Sequence, residues 1–240
     1  LDFARAGAEL LLVAMAPESL AESRLAVQVA GVAAVRPPVA VAVDLRVPMA
    51  APLVRQRALE AFGRIDILVN CAGATKVGDF LSFDDADWDD GFALKFSAAR
   101  RLAAVCWDDL KSSSGNILNI VGSAGRTPGA DYAIGGSVNA AMLALTKALA
   151  ARGLQDNVRV NAINPGPVRT DRHARRIAQL MADQAIDAAQ AEALLRQSFG
   201  VTRFGDPEDI AALATFVVSE RGKLLHGSLL DIDGGLTKTI

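Results

Sequence analysis

Tyrosine occurs once in these 240 residues, as Tyr132, while histidine and cysteine occur twice each. Cys71 and Cys106 form no metal-binding or redox spacing, and each lies among apolar neighbours. Both read as reduced, buried thiols, which points to a cytoplasmic protein. No metal site is read, and neither His173 nor His226 is given a catalytic role. Excess charge is missing too. The chain carries 25 Lys and Arg against 27 Asp and Glu, a formal net charge of −2. That balance offers no electrostatic case for nucleic acid or an anionic membrane surface as a partner. Nothing reaches the roughly 18 apolar residues of a membrane-spanning helix. The run "LLLVAMA" (Leu10–Ala16) resembles the apolar part of an export signal, but it is short and Glu9 interrupts its approach. It reads as a buried strand.

What the sequence does contain is alternation. Short apolar runs at 9–14, 39–44, 65–70, 116–121, 158–163 and 228–233 read as strands. Helical patterns lie between them near 18–30, 49–62, 85–111, 132–152 and 207–219. Strands that are nearly continuous apolar runs are buried on both faces, which means a parallel sheet with helices on each side. The order implies right-handed crossovers and a doubly wound α/β sheet. With no repeat, linker or low-complexity tract, residues 1–240 read as one domain.

Residues 171–200 break the alternation with polar, helix-forming sequence. An insertion on the carboxyl side of the sheet is where a substrate lid would sit. A surface helical hairpin is the equal alternative.

Several motifs occur in order. "RIDILVNCAG" ends a strand in Asn70, Cys71, Ala72 and Gly73, "VAVDL" ends one in Asp44, and "NILNIVGSAG" leads to Ser123. "VRVNAINPGPVRT" holds Pro165, Gly166, Val168 and Thr170, and "RFGDPEDIAALATFVVS" and "GSLLDIDGG" close the chain. Together they resemble the short-chain dehydrogenase/reductase family across essentially the whole length. The resemblance implies a Rossmann-type fold and an NAD(P)-dependent oxidoreductase acting on a carbonyl or alcohol of a small molecule. It also implies a homo-oligomer, tetramer or dimer, formed through the two long helices and the last strand. Asp44 would accept a hydrogen bond from the adenine amino group. Asn70, Ala72 and Gly73 would border the dinucleotide crevice, where small residues let the chain turn tightly. Pro165, Gly166 and Val168 would meet the nicotinamide carboxamide, and Thr170 would add a hydroxyl.

Three departures matter. The family's opening strand and its Thr-Gly-x-x-x-Gly-x-Gly phosphate loop have no counterpart, and Leu1–Gly7 resembles the end of the helix that follows that loop. A further N-terminal piece is therefore expected. Ala14, Met15 and Ala16 stand where relatives put the charge that selects NAD or NADP. With no carboxylate to repel a 2′-phosphate, the lean is toward NADP. Finally, where the family carries Asn, Ser, Tyr and Lys, alignment gives Lys95, Ser123, Gly135 and Asn139, so lysine and asparagine have exchanged places.

Lys95 shares an apolar stripe with Phe92, Ala99 and Leu102, and either faces the site with a lowered pKa or snorkels to solvent. Asn139 retains the ability to hydrogen-bond ribose hydroxyls. Tyr132, about one helical turn before Gly135, is either the replacement phenol or an ordinary loop tyrosine. Lys147 lies too far along the helix to assist. Two functions remain: an oxidoreductase in which Ser123 orients the substrate and Lys95 or Tyr132 handles the proton, or a non-redox or silent use of the scaffold.

Overall fold

Strands form where β-branched runs are short, and helices where longer stretches carry an apolar stripe. The computed structural model describes residues 1–30 and 36–239. In chain order come α1 (Asp2–Arg5), β1 (Leu11–Ala14), α2 (Pro17–Ala30), β2 (Val39–Ala42), α3 (Ala50–Phe62) and β3 (Ile67–Asn70). Next come α4 (Asp85–Phe92), one π-helical turn over Ala93–Ser97, α5 (Ala98–Ser113) and β4 (Asn116–Ile120). The chain continues through α6 (Ala133–Asp156), β5 (Arg159–Pro165), α7 (Asp171–Gln184), α8 (Ala188–Phe199), α9 (Pro207–Val218) and β6 (Leu229–Ile232). Each expected strand is present, with ends shifted by no more than two residues. Helix starts carry side-chain caps where acidic residues precede them: Asp84 on α4, Asp187 on α8 and Asp206 on α9.

All strand pairs are parallel. Period-two alternation sends Ile117 of β4 toward α5 and α6 and its neighbour Leu118 toward α9. Val160, Ala162 and Ile163 of β5 are fully buried, as a central parallel strand requires. On one face α3 and α5 pack Val54, Ala98 and Leu102 together, and α6 adds Met142 and Leu143. On the other, Ala214 and Val217 of α9 and Phe3 of α1 cover Leu118 and Ile163. The fold is a Rossmann-type α/β domain.

Three expectations need correction. The single sheet is two: β1 pairs only with β2, and the other four run β3-β4-β5-β6. Between the facing edges of β1 and β3 lies a cavity of about 710 Å³, walled by Leu11, Val13, Ile67 and Val69 and closed at one end by Cys71 and Lys95. Among the described residues no strand pairs with these facing edges of β1 and β3. Second, α6 is long and apolar enough to cross a bilayer, with mean hydropathy 1.3 over its best window. Half of that window is buried inside the protein, which accounts for its apolarity. Third, Cys71 is exposed and only Cys106 is buried, because Cys71 lies just past β3, at the end of the cavity.

Candidate active site

The carboxyl ends of β3, β4 and β5 converge with the start of α6 and the π-helical turn. In that turn the Ala98 N–H bonds the Ala93 carbonyl, five residues back. Such wide turns are uncommon and often lie at functional sites. This one carries Lys95. The lysine stem runs along Gly73, where a β-carbon would lie 3.1 Å from Lys95 Cδ. Its Nζ donates to the Val121 carbonyl at 2.5 Å, just past the end of β4. Lys95 therefore turns inward rather than snorkelling. Burial pushes its pKa down to about 8; the nearby Cys71 opposes that shift and the positive charge of Arg172 adds to it. An ammonium has three protons to donate, so the bond to Val121, the one it makes among the described residues, leaves two for other partners.

Ser123 follows β4 and is buried. The residue before it, Gly122, has φ of 142°, a conformation that suits glycine. A β-carbon at Gly122 would sit 3.0 Å from Asn139 Nδ2, and one at Gly125 would sit 3.1 Å from Asn139 Cβ. Asn139 is thus packed beneath the serine loop, only 4% exposed.

Tyr132 stands just before α6 with φ −130° and ψ 37°, outside helical geometry. Its ring folds back over Gly135, where a β-carbon would overlap Cζ and Cε1 of the phenol. The phenol hydroxyl meets Thr75 Oγ1 at 2.8 Å. The ring consequently fills the volume a side chain at residue 135 would need.

The residues read as cofactor contacts are more spread out. Asn70 ends β3, donates one Nδ2 proton to Asn119 Oδ1 at 2.9 Å, and keeps its own Oδ1 buried with no partner among the described residues. Ala72 and Gly73 are exposed beyond it. Asp44 Oδ1 accepts from the Arg46 backbone at 3.0 Å and its guanidinium at 3.3 Å. Pro165 ends β5, and Gly166 donates to the Ile232 carbonyl at 3.1 Å. Val168 bridges to Gly205, and Thr170 is exposed at the start of α7. No hydrogen bond joins Asp44 or Thr170 to Lys95, Ser123 or Tyr132 among the described residues.

The 171–200 insertion is the α7–α8 hairpin, with its own small core of Leu195, Val201 and Phe204 against Ile177 and Leu180. Arg169 ties it down through Glu192 at 2.9 Å and Asp206 at 3.2 Å. The two histidines are engaged elsewhere. His173 stacks edge-on against Phe204, and His226 Nδ1 accepts from the Val160 N–H while Nε2 bonds the Ala150 carbonyl. Lys147 reaches the Gly227 carbonyl, away from the site. Thr75 was not read from the sequence; a lone threonine in a loop carries no local signal of its tyrosine partner 57 residues away.

Residues 1–237 match the family model described as enoyl-(acyl carrier protein) reductase. The chain belongs to the short-chain dehydrogenase/reductase family. This short-chain dehydrogenase/reductase is 36% identical over 239 residues to an uncharacterized oxidoreductase of Mycobacterium tuberculosis, covering 99% of this chain and 86% of the relative. It is 34% identical to the oxidoreductase UcpA of Escherichia coli K12, covering 98% and 87%. Among solved structures, L-sorbose reductase from Gluconobacter frateurii, complexed with NADPH and L-sorbose, superposes with a TM-score of 0.94 at 29% identity, covering all of this chain and 90% of that one. The protein is an NAD(P)-dependent oxidoreductase, and the non-redox alternative is not favoured.

Proposed function

We propose that this enzyme reduces a small-molecule ketone, or oxidises the corresponding alcohol, with Ser123 and Tyr132 at the substrate oxygen and Lys95 beside them as the positive charge. The observation that carries this reading is the phenol of Tyr132 folded into the space above Gly135, hydrogen-bonded at 2.8 Å. A phenol can give a proton to a developing alkoxide and take it back in the reverse direction. Lys95, with two protons free, favours negative charge at that oxygen. Asn139 supports the Ser123 loop from below and offers its amide to the ribose.

The donor set fits a dinucleotide. Asn70 Oδ1 is a buried acceptor in need of a donor, and Lys95 has donors to spare beside Gly73. Asp44 would meet adenine; Asn70, Ala72, Gly73 and Asn139 would meet the central and ribose parts; Pro165, Gly166, Val168 and Thr170 would meet the nicotinamide. When bound, that ring supplies or accepts the hydride. Ala14, Met15 and Ala16 offer no carboxylate, and the Gluconobacter frateurii reductase is complexed with NADPH, so NADP(H) is favoured over NAD(H). We further propose one domain, the α7–α8 hairpin as the substrate lid, a homo-oligomer and a cytoplasmic location.

The test is NADPH and NADH oxidation across a panel of ketones and ketoses, L-sorbose included, for the protein and for Tyr132→Phe, Ser123→Ala and Lys95→Met. Loss of about a hundredfold or more in kcat for Tyr132→Phe supports the assignment. Tyr132→Phe turning over like the parent, with Lys95→Met inactive, would move the proton to Lys95.

A further inference from the structure

We propose that Thr75 is the positioning residue for Tyr132, holding the phenol where it exchanges a proton with the substrate; this rests on reading Tyr132 as the acid/base group. The geometry that points to it is local and specific. Thr75 Oγ1 lies 2.8 Å from the Tyr132 hydroxyl. Its methyl is wedged at the crossing of α4 and α6, where a β-carbon at Gly91 would sit 3.5 Å from Thr75 Cγ2 and 2.5 Å from Ile134 Cγ2. A β-branched side chain has few χ1 choices, so a packed methyl also fixes the direction of the hydroxyl.

The loop that carries Thr75 is tied to the same place a second time. Gly78 donates its N–H to the Asp131 carbonyl at 2.9 Å, adjacent to Tyr132 in sequence. Two residues before Thr75, Gly73 packs against the Lys95 stem. The segment 73–78 therefore touches both groups proposed to act on the substrate oxygen, and it leads directly from the carboxyl end of β3. Tyr132 has no helical backbone to define its side-chain direction, since its φ and ψ fall outside the helix that follows. Gly135 makes room for the ring, and Thr75 defines where its hydroxyl points.

Thr75 Oγ1 donates to the phenol oxygen, which leaves the phenol proton for the substrate, and the same donor serves the phenolate that follows. During reduction the Tyr132 O–H bond breaks as the substrate O–H bond forms; a bound nicotinamide would supply the hydride that the carbonyl carbon takes up. Tyr132 is left as a phenolate to which Thr75 donates, and water returns the proton. Hydrogen bonds to a charged group are stronger than neutral ones, so the contact gains strength as the reaction proceeds.

The test uses Thr75→Val, which keeps the shape and removes the hydroxyl, and Thr75→Ser, which keeps the hydroxyl. With the panel ketone of highest turnover, Thr75→Val should lower kcat about tenfold or more with KM for NADPH within twofold, and Thr75→Ser should restore most of it. In a Tyr132→Phe background Thr75→Val should cost nothing further, as expected for one residue acting through the other. A readout independent of activity comes from Tyr132, the one tyrosine in residues 1–240: in protein labelled with 3-fluorotyrosine, the fluorine resonance that Tyr132→Phe removes should move in Thr75→Val and return in Thr75→Ser. An unmoved resonance, or kcat within twofold of the parent in Thr75→Val while Tyr132→Phe is inactive, overturns the role of Thr75 alone. If Tyr132→Phe is itself fully active, the reading of Tyr132 fails first and the proposal goes with it.

Discussion

At residue 135 the absence of a side chain is itself a structural requirement. The Tyr132 ring lies over that position, and any β-carbon there would overlap it. Gly135→Ala should therefore displace the ring or distort the first turn of α6, at a cost of about 1–3 kcal/mol. Thermal melting should fall by several degrees, and turnover should fall with it; an unchanged melt with full activity would show that the ring does not sit there. Lys95 poses a different residue-scale problem, a cation turned inward with one hydrogen bond. Its folded value of about 8 lies below the ordinary 10.5, so between these the unfolded chain binds the extra proton. The cost of burying the ammonium is full below about pH 8 and fades as pH rises toward 10.5. Lys95→Met should stabilise the fold by about 1–2 kcal/mol at pH 7, allowing for partial exposure. That gain should shrink steadily in melts between pH 8 and 10, and a gain that grows with pH would contradict the burial.

At the scale of elements, α5 and α6 are clasped at their far ends by one carboxylate. Asp156, its side chain 4% exposed, accepts from Lys111 Nζ, Arg152 Nε and Trp107 Nε1, each at 2.8 Å. Lys111 first, then Trp107 and Arg152, hold its pKa down to about 2 against the opposing effect of burial. A carboxylate with a lowered folded pKa stabilises the protein above its ordinary value of 3.8, and that contribution disappears as pH falls through about 2. Asp156→Asn should destabilise the protein clearly at pH 7, and its melting temperature should converge with the parent's as pH approaches 2. The π-helical turn between α4 and α5 is the other element-scale device. The wide turn carries Lys95 along Gly73, while Ala99 and Leu102 beyond it stay buried in the core. A straight α-helix through the same residues would follow the 3.6-residue period that the sequence suggested.

For the molecule as a whole, the two thiols should behave differently. Cys106 is 2% exposed, and burial pushes its thiol up to about 12. Cys71 is exposed, its thiol raised by apolar surroundings while the charge of Lys95 pulls the other way. Within residues 1–240, a thiol reagent at pH 8 should modify Cys71 alone in the native protein and both cysteines after unfolding. Saturating NADPH should slow the native reaction, because Cys71 adjoins Ala72 and Gly73. Fast modification of Cys106 in the native state would contradict its burial.

Strand positions, the helices of both faces and the 171–200 insertion are legible in the sequence because hydrophobic periodicity is local. The order of Asp44, Asn70–Gly73, Ser123 and Pro165–Gly166 is legible for a related reason, since turns at strand ends need small or rigid residues. Counting along the chain also yields the expectation that lysine and asparagine have exchanged places at 95 and 139. What the chain order does not contain is where those side chains go. Tyr132 could have been a surface loop residue, and only Thr75, 57 positions earlier, together with the bare backbone of Gly135, brings the phenol inward. The inward turn of Lys95 depends on a wide helical turn and on the Val121 carbonyl 26 residues away. Each of these is set by contacts between distant segments, and packing of that kind leaves no periodic trace in the sequence.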